Sequence, residues 1–444
     1  MFHICFNSSR EYINYVAALI NNVIQKIDVS KNFKDFCNEE ILNTYSHKNH
    51  DYLKTRNPKD LDAQDFKEGC VFHVLHSDYI EHDIKGKFHL LGKELSNIYP
   101  CEILFHKVDE SIFKKENLSP WQGSYATYYK LILTRFIDKV DTILYLDLDL
   151  YINCDIRELF AIDLQDNVLA GADIAGIYKG YFKNILDNSE VIIPLSNWLN
   201  VGILLINLKY FKEDEAQDKI KKTLETYLFD SVPDEAVLNI VFPNRLRLPV
   251  IYNFCIGFLT FGDINPQDYY NFEKYNGYFL YSVDFYENFL SKAKVIHYCF
   301  LSAKPWGNRF AFLSDSFLPA RIPCIDLWWN SALKTPYFDE YFVQLKNEIS
   351  SKELELYSNN IHKVLLNMHQ KLIGLENAIS SNIVLNEQKI EKQCIVKDYK
   401  SHLSYQLGQA LIKAYKNKWG GGFIKFPFEA YSIVKKWKKE KGIK

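Results

Sequence analysis

The run Asp141-Thr-Ile-Leu-Tyr-Leu-Asp-Leu-Asp-Leu150 constrains this chain more than any other segment. Ile143 to Leu146 is an uninterrupted apolar stretch, the pattern of a strand buried on both faces in a sheet covered by helices. Asp147 and Asp149 therefore fall where the strand leaves its sheet, which is where open α/β sheets bind ligands. Side chains at i and i+2 of an extended segment share a face, with Cα atoms roughly 6–7 Å apart. Both carboxylates can then reach one divalent cation from a solvent-facing edge while Leu148 turns to the core. No basic residue stands in the motif, so the pair calls for a cation, and an all-oxygen ligand set favours Mg2+ or Mn2+. Asp-x-Asp is common by chance; its place at the end of a buried strand is what raises it above that background.

The flanking segments alternate strand and helix. Phe2 to Phe6 predicts a first strand and Glu11 to Lys26 a helix, with Val16, Leu19, Ile20, Val23 and Ile27 at helical spacing. Val71 to Leu75 and Cys101 to Phe105 predict further strands, and Ser124 to Phe136 a helix leading into the Asp-x-Asp strand. Val201 to Asn207 reads as another buried strand, and Lys209 to Phe229 as a charged amphipathic helix. This order predicts an α/β protein with a mostly parallel, doubly wound sheet. The expected catalytic domain covers residues 1–323, with a polar, weakly periodic insertion at 28–69 that carries short helical pieces.

With 444 residues the chain has room for two or three domains. A net charge of −2 excludes nucleic acid as the main partner, because phosphate binding needs a clear cationic excess. The nine Cys are scattered and never spaced Cys-x-x-Cys, so they read as reduced core thiols of a cytosolic protein, not as a disulfide framework or zinc site. The N-terminus lacks the basic and apolar regions of a signal peptide, and no stretch approaches 18 consecutive apolar residues, the length of a membrane span.

Residues 324–401 predict a helical extension. Leu354, Ile361, Leu365, Met368, Leu372, Leu375 and Ile379 step by seven, then by four and three, a short coiled-coil-like stripe that Gly374 weakens. A single helix packed on the body is favoured over an oligomerising coil, which leaves a homo-oligomer open. Residues 402–444 form a basic tail in which ten Lys face only Glu429 and Glu440, interleaved with Trp419, Phe423, Phe426, Phe428 and Trp437. A helix lying in an anionic membrane interface has this composition, since aromatic rings seat at headgroup level and Lys finds lipid phosphates. A solvated helix face is the alternative.

Six segments in order lift the Asp-x-Asp strand above chance: Ile4-Cys-Phe with Tyr12, Tyr128-Tyr-Lys-Leu131, Leu144 to Asp149, Leu199-Asn-Val-Gly-Ile-Leu-Leu-Ile-Asn-Leu208, Asp234-Glu-Ala-Val-Leu-Asn239, and Ile296-His-Tyr-Cys with Ala303-Lys-Pro-Trp306. Across residues 2–310 the chain thereby resembles the retaining glycosyltransferases of family 8, especially bacterial galactosyl- and glucosyltransferases that extend lipopolysaccharide outer cores. The resemblance implies a GT-A fold, a nucleotide-sugar-binding α/β sheet with a single metal site. Asp147 and Asp149 look like the metal-binding pair and His297 like the third ligand, an N/O set that suits Mn2+ better than Mg2+. A lone His before Tyr-Cys is otherwise more often a core residue. Lys304 looks like the residue that meets the diphosphate, Asn200 and Gly202 sit where the family's Asn-x-Gly approaches the donor sugar, and Asp173 is placed to hold a sugar hydroxyl.

The departures bear on the donor. An acidic pair usually grips the nucleoside after the first strand; here the segment is Asn7-Ser-Ser-Arg-Glu-Tyr12, with Ser9 or Glu11 as substitutes beside Tyr12. Lys130 stands where an Arg is common, keeping charge but losing the bidentate fork. The sugar-side Asp-Gln-Asp becomes Asp234-Glu235-Ala236.

The resemblance implies transfer of a hexose from UDP-galactose or UDP-glucose, with retention, to a glycolipid or oligosaccharide acceptor of the lipopolysaccharide type. It also implies a cytoplasmic enzyme held peripherally on the inner membrane. Departure and attack on one face of the sugar are favoured; in a covalent route Glu235 is the best-placed nucleophile. A glycoside hydrolase would need carboxylates on opposite sides of the scissile bond. A non-catalytic nucleotide- or glycan-binding scaffold is disfavoured because Asp147, Asp149, His297 and Lys304 are all retained. Sugar, linkage and acceptor depend on pocket shape, not motif.

Overall fold

The computed structural model describes residues 1–37, 40–42, 52–61, 67–77, 79–116, 118–121, 123–173, 180–193, 198–229, 232–256, 290–299, 304–307, 310–312, 319–387 and 402–443. The elements that build the site are β1 (Phe2–Ser8), α1 (Ile13–Gln25), β2 (Cys70–His76), α2 (His82–Leu95), β3 (Cys101–Lys107), β4 (Thr142–Leu146), β5 (Leu150–Ile152), β6 (Leu169–Ala172), β7 (Ile203–Asn207), α3 (Pro233–Val241), β8 (Leu246–Leu248), β9 (Phe254–Cys255) and β10 (Val295–His297). Seven of these strands form one sheet in the order β8-β6-β7-β4-β1-β2-β3. All its pairings are parallel except those of β7, which runs antiparallel to both β4 and β6.

The apolar run of β4 reflects burial on both sides. Leu144 and Leu146 join a core that contains Ile4 and Phe6 of β1 and Val16, Leu19, Ile20 and Val23 of α1. Ile143 and Tyr145 join a second core, with Cys5, Leu131, Leu133, Leu204 and Ile206. A strand between two cores has no polar face to alternate with, hence its continuous hydrophobicity. Across β1, β2 and β3 runs a ladder of imidazoles: His3 Nδ1 lies 2.9 Å from His73 Nε2, and His73 Nδ1 lies 2.9 Å from His106 Nε2.

A second, three-stranded sheet has the order β9-β10-β5, with β10 antiparallel to β5 and parallel to β9. The chain passes from the first sheet to the second through Asp147-Leu148-Asp149, and Leu148 packs against the first core.

Some expectations change. The segment 124–136 contains a 3-10 helix, Ala126–Arg135, in place of the α-helix. The single helix expected over 209–229 is broken into Leu208–Phe211 and Asp214–Thr226, and Tyr227–Leu228 is a strand paired with Gly180–Asn184. Within 28–69 the helical pieces are 3-10 turns, Phe33–Phe36 and Pro58–Asp60, beside a hairpin of Glu40–Leu42 and Tyr52–Lys54. Arg157 ties this insertion down. Its Nη2 lies 2.7 Å from Asp155 Oδ2 and donates to the Asp28 carbonyl at 2.7 Å, while Nη1 donates to the Lys31 carbonyl at 2.8 Å.

The chain forms two compact units, Met1–Tyr357 and Ser358–Lys444. In the first, α4 (Ile325–Ala332) and the start of α5 (Asp339–Glu387) place Trp328, Trp329, Phe338, Phe342 and Ile349 in the first core. In the second, α6 (Leu403–Lys416) and α7 (Gly422–Glu440) pack Ala410, Ala414 and Phe426 against Leu365 and Met368 of α5. Leu365 and Met368 are the members of the expected stripe that enter this small core; Leu375 and Ile379 are exposed. Among the described residues no helix is long and apolar enough to cross a membrane, and no described cysteine forms a disulfide.

Candidate functional site

The site is built where the two sheets meet. Asp147 N–H donates to the Gly202 carbonyl at 2.7 Å, continuing the β4–β7 ladder one residue past β4. Two residues on, the Asp149 carbonyl accepts from Tyr298 N–H at 2.9 Å, and Leu150 pairs with His297 across β5 and β10. Backbone pairing thus delivers His297 to the carboxylates: Nε2 lies 3.4 Å from Asp149 Oδ1. Ligand atoms of Asp147, Asp149 and His297 all lie within 4.8 Å of one another. The pair was expected at a solvent-facing edge. Asp147 keeps 32% of its side chain exposed, whereas Asp149 is only 4% exposed because the second sheet covers it.

Two lysines neutralise the carboxylates. Buried Lys130 lies 2.7 Å from Asp234 Oδ2 and 3.4 Å from Asp147 Oδ1, and donates to the Val201 carbonyl at 3.3 Å. Its ammonium also stands 4.3 Å from the centre of the Tyr145 ring, whose hydroxyl donates to Asp147 Oδ1 at 2.7 Å. Lys304 donates to Asp149 Oδ2. Burial would raise the Asp149 pKa, but Lys304 and His297 outweigh it and hold the carboxyl well below the usual range. For Lys130, Lys304 and His297, burial favours the neutral form and the facing carboxylates reverse that, so all three are shifted up.

A chain of hydrogen bonds runs from Glu235 on α3 to His297. Glu235 Oε1 accepts from Trp198 Nε1, and Oε2 accepts from Asn200 Nδ2 at 3.1 Å and Val201 N–H at 3.4 Å. Burial pushes the Glu235 pKa up to about 7 despite these donors. Asn200 Oδ1 accepts from Gly202 N–H at 3.1 Å and from Asn253 Nδ2 at 2.8 Å. With its amide nitrogen committed to Asn200, Asn253 turns its oxygen to His297 Nδ1 at 2.8 Å. Nδ1 therefore donates to Asn253, and Nε2 faces Asp149: the charged imidazole donates to that carboxylate, and loss of the Nε2 proton would free a lone pair for a cation at the same point. An imidazole oriented through its other nitrogen beside two carboxylates fits a divalent cation with mixed N/O preference.

Gly202 is required by crowding. A Cβ there would lie 2.4 Å from His297 Cε1 and 2.9 Å from Asp147 Oδ2, so the backbone passes where no side chain fits.

The remaining expected residues lie around this centre. Asp173 is buried, bridges to Leu199 beside the Asn200 loop, and stands 3.4 Å from Arg247 Nη1. Trp306 stacks on Tyr15 of α1 at 4.0 Å and meets Tyr12 edge-on at 5.7 Å, which anchors the Lys304 loop beside the end of β1. Ser9 is half-buried and Glu11 exposed in the turn before α1. Asn7 donates to the Ala126 carbonyl at 2.8 Å. Direct contacts thus join Asp147, Asp149, His297, Lys304, Lys130 and Asp234, and the amide chain adds Glu235, Asn200 and Gly202. Sequence reasoning missed Asn253, Trp198 and Tyr145. The available signal for Asn253 was one polar residue inside the apolar segment Val250-Ile-Tyr-Asn-Phe-Cys255.

A mostly parallel sheet with a carboxylate pair at its seam to a smaller sheet defines a GT-A-fold protein, an α/β fold of the nucleotide-sugar-binding kind. The chain belongs to glycosyl transferase family 8, whose model matches residues 3–309. Residues 396–439 match a domain of unknown function, DUF8374. Glycosyltransferase GlyB of Streptococcus pneumoniae serotype 4 is 25% identical over 305 residues, covering 67% of this chain and 63% of GlyB. The lipopolysaccharide 1,3-galactosyltransferase of Salmonella typhimurium is 27% identical over 189 residues, covering 41% of this chain and 53% of that protein. The chain therefore spans less than two thirds of the length of either relative. Among solved structures, the bifunctional glycosyltransferase WbbM shares the fold with a TM-score of 0.51 at 17% identity, over 78% of this chain and 51% of that one.

Proposed function

We propose that this chain is a metal-dependent, retaining hexosyltransferase that moves a sugar from UDP-galactose or UDP-glucose to a lipopolysaccharide or related glycolipid acceptor at the cytoplasmic face of the inner membrane. The observation that carries this reading is the convergence of Asp147, Asp149 and His297, with Lys304 on the same carboxylate. The nitrogen in the ligand set favours Mn2+ over Mg2+. A bound cation there would offset the negative charge that gathers on the diphosphate as the glycosidic bond breaks.

The protein's own groups divide the remaining work. Lys304 exchanges Asp149 for the diphosphate, where its charge acts on the leaving group. Lys130 holds Asp147 and Asp234 in place. Asn200, Gly202, Asp173 and Asp234 face the donor sugar, and Ser9 and Tyr12 border the nucleoside. Glu235 spends both oxygens on Trp198, Asn200 and Val201, so it positions the Asn200 loop. Retention then proceeds by departure and attack on one face of the sugar, not through a glycosyl-enzyme on Glu235.

Release of UDP from UDP-galactose, UDP-glucose and their N-acetyl forms, with Mn2+ and with a chelator, tests the proposal. Turnover should need the metal, favour one hexose, and vanish in Asp149→Asn while near-native circular dichroism persists. Metal-independent turnover would overturn the metal-dependent reading, and no turnover with any donor would leave the chain as a binding scaffold.

A further inference from the structure

The described part of the segment that matches the domain of unknown function, from residue 402 onward, is a helical hairpin with its large apolar residues divided between two sides. Phe426, Phe423, Leu411 and Ile433 pack inward with Ala410 and Ala414. Ile424, Phe428 and Tyr431 remain 77%, 75% and 70% exposed, and Trp419, at the turn between the helices, is 94% exposed. Ile424, Phe428, Tyr431, Lys435 and Lys438 follow one another by four and three residues, so they form a single stripe along α7 that is apolar near the turn and cationic further on.

The turn is shaped by close approach. Gly421 has φ +79°, and a Cβ on Gly422 would lie 2.4 Å from the Ala414 carbonyl oxygen. Trp419 is thus presented on a corner whose geometry the helix crossing dictates, with the Lys418 ammonium 5.7 Å from its ring centre. Acidic groups hardly dilute the positive charge: Glu429 is engaged by Lys413 at 2.6 Å and Glu440 lies 3.9 Å from Lys436.

We propose that this hairpin binds an anionic lipid surface, seating Trp419, Ile424, Phe428 and Tyr431 at the headgroup level while Lys435, Lys438 and Lys439 meet lipid phosphates. An exposed aromatic and aliphatic stripe continued by lysines, on a helix too polar to span a bilayer, is the pattern of an interfacial helix. Phe423 and Phe426 take no part, since the hairpin's own core uses them. Which membrane is meant rests on the glycolipid acceptor proposed above; the lipid contact itself does not.

Co-sedimentation of the 444-residue chain, without donor, with vesicles of equimolar phosphatidylcholine and phosphatidylglycerol tests this against phosphatidylcholine alone. The wild type should bind the anionic vesicles preferentially. Each Lys near such a surface is worth about fivefold in partitioning at low salt, so Lys435→Gln with Lys438→Gln and Lys439→Gln should lose roughly a hundredfold. Trp419→Ser with Phe428→Ser should lose at least about tenfold and leave a binding that salt abolishes. Helical circular dichroism should match the wild type in both variants. Brominated lipid should quench the fluorescence that Trp419→Phe removes. Equal binding by wild type and variants, indifference to phosphatidylglycerol, or absence of that quenching would overturn the proposal. So would a dimer that disappears in the Trp419/Phe428 variant while vesicle binding stays unchanged. Donor hydrolysis, measured separately, bears on the transferase reading alone and should stay at wild-type level in both variants.

Discussion

Asn253 Oδ1 lies 2.8 Å from Nδ1 of His297, and through that contact a residue 44 positions earlier fixes the ring so that Nε2 is the nitrogen presented to the aspartates. Asn253→Ala should therefore weaken Mn2+ binding by about 10–100-fold, the usual cost of losing the group that orients a ligating His. Titration calorimetry with Mn2+ checks this, and excess Mn2+ should restore part of the turnover. Wild-type affinity in the variant would place His297 outside the ligand set.

Lys304 and a cation draw on the same carboxylate, because Lys304 donates to Asp149 Oδ2. Lys304→Ala should lower the transfer rate by on the order of 10²–10³. Mn2+ affinity in that variant should hold or rise, since Asp149 loses its competing partner. A joint fall in rate and affinity would mean that Lys304 positions Asp149 and does not act on the diphosphate.

Gly202→Ala should damage both fold and site. The new methyl would need the space of His297 Cε1 and Asp147 Oδ2, so thermal stability should fall by about 1–3 kcal/mol, as for other overpacked sites. Metal binding should fall with it, because relief of the clash separates two ligands. A variant with native melting temperature and native metal affinity would show that the β4–β7 edge can yield.

The imidazole ladder predicts a loss of stability in mild acid. Burial and the N-terminal charge lower the His3 pKa to about 4, and burial with its two His neighbours lowers His73 to about 3. Both values lie below the ordinary 6.5, so the folded state binds fewer protons than the unfolded chain. The ladder's contribution is complete above pH 6.5 and is lost progressively as the pH falls through about 4 to about 3. His73→Leu should flatten the melting-temperature profile across that window; an unchanged slope would assign the acid sensitivity to other groups.

The β4 run could be recognised because burial on both faces leaves a continuous apolar signature. The same signature hid the direction of β7: Ile203 to Ile206 is equally apolar whether parallel or antiparallel to β4. Tyr227 and Leu228 read as helix from their local spacing, and pairing with the strand Gly180–Asn184 overrides it. Asn253 was invisible for a different reason. It reaches His297 only because Cys255 pairs with His297 across β9 and β10, a register that no local pattern records. In the tail, composition identified the aromatic and basic character but not its division, since α7 carries large apolar groups on two sides.

The seam at Asp147-Leu148-Asp149 makes the candidate ligand set a mechanical joint. Asp147 is bonded into the seven-stranded sheet through Gly202, whereas Asp149 and His297 belong to the three-stranded one. An ion shared by these side chains would rivet two layers that the backbone links through a short strap. Occupancy would then register as stiffness: amide exchange in β5 and β10 should slow when Mn2+ is added and quicken under chelation, before any sugar is bound.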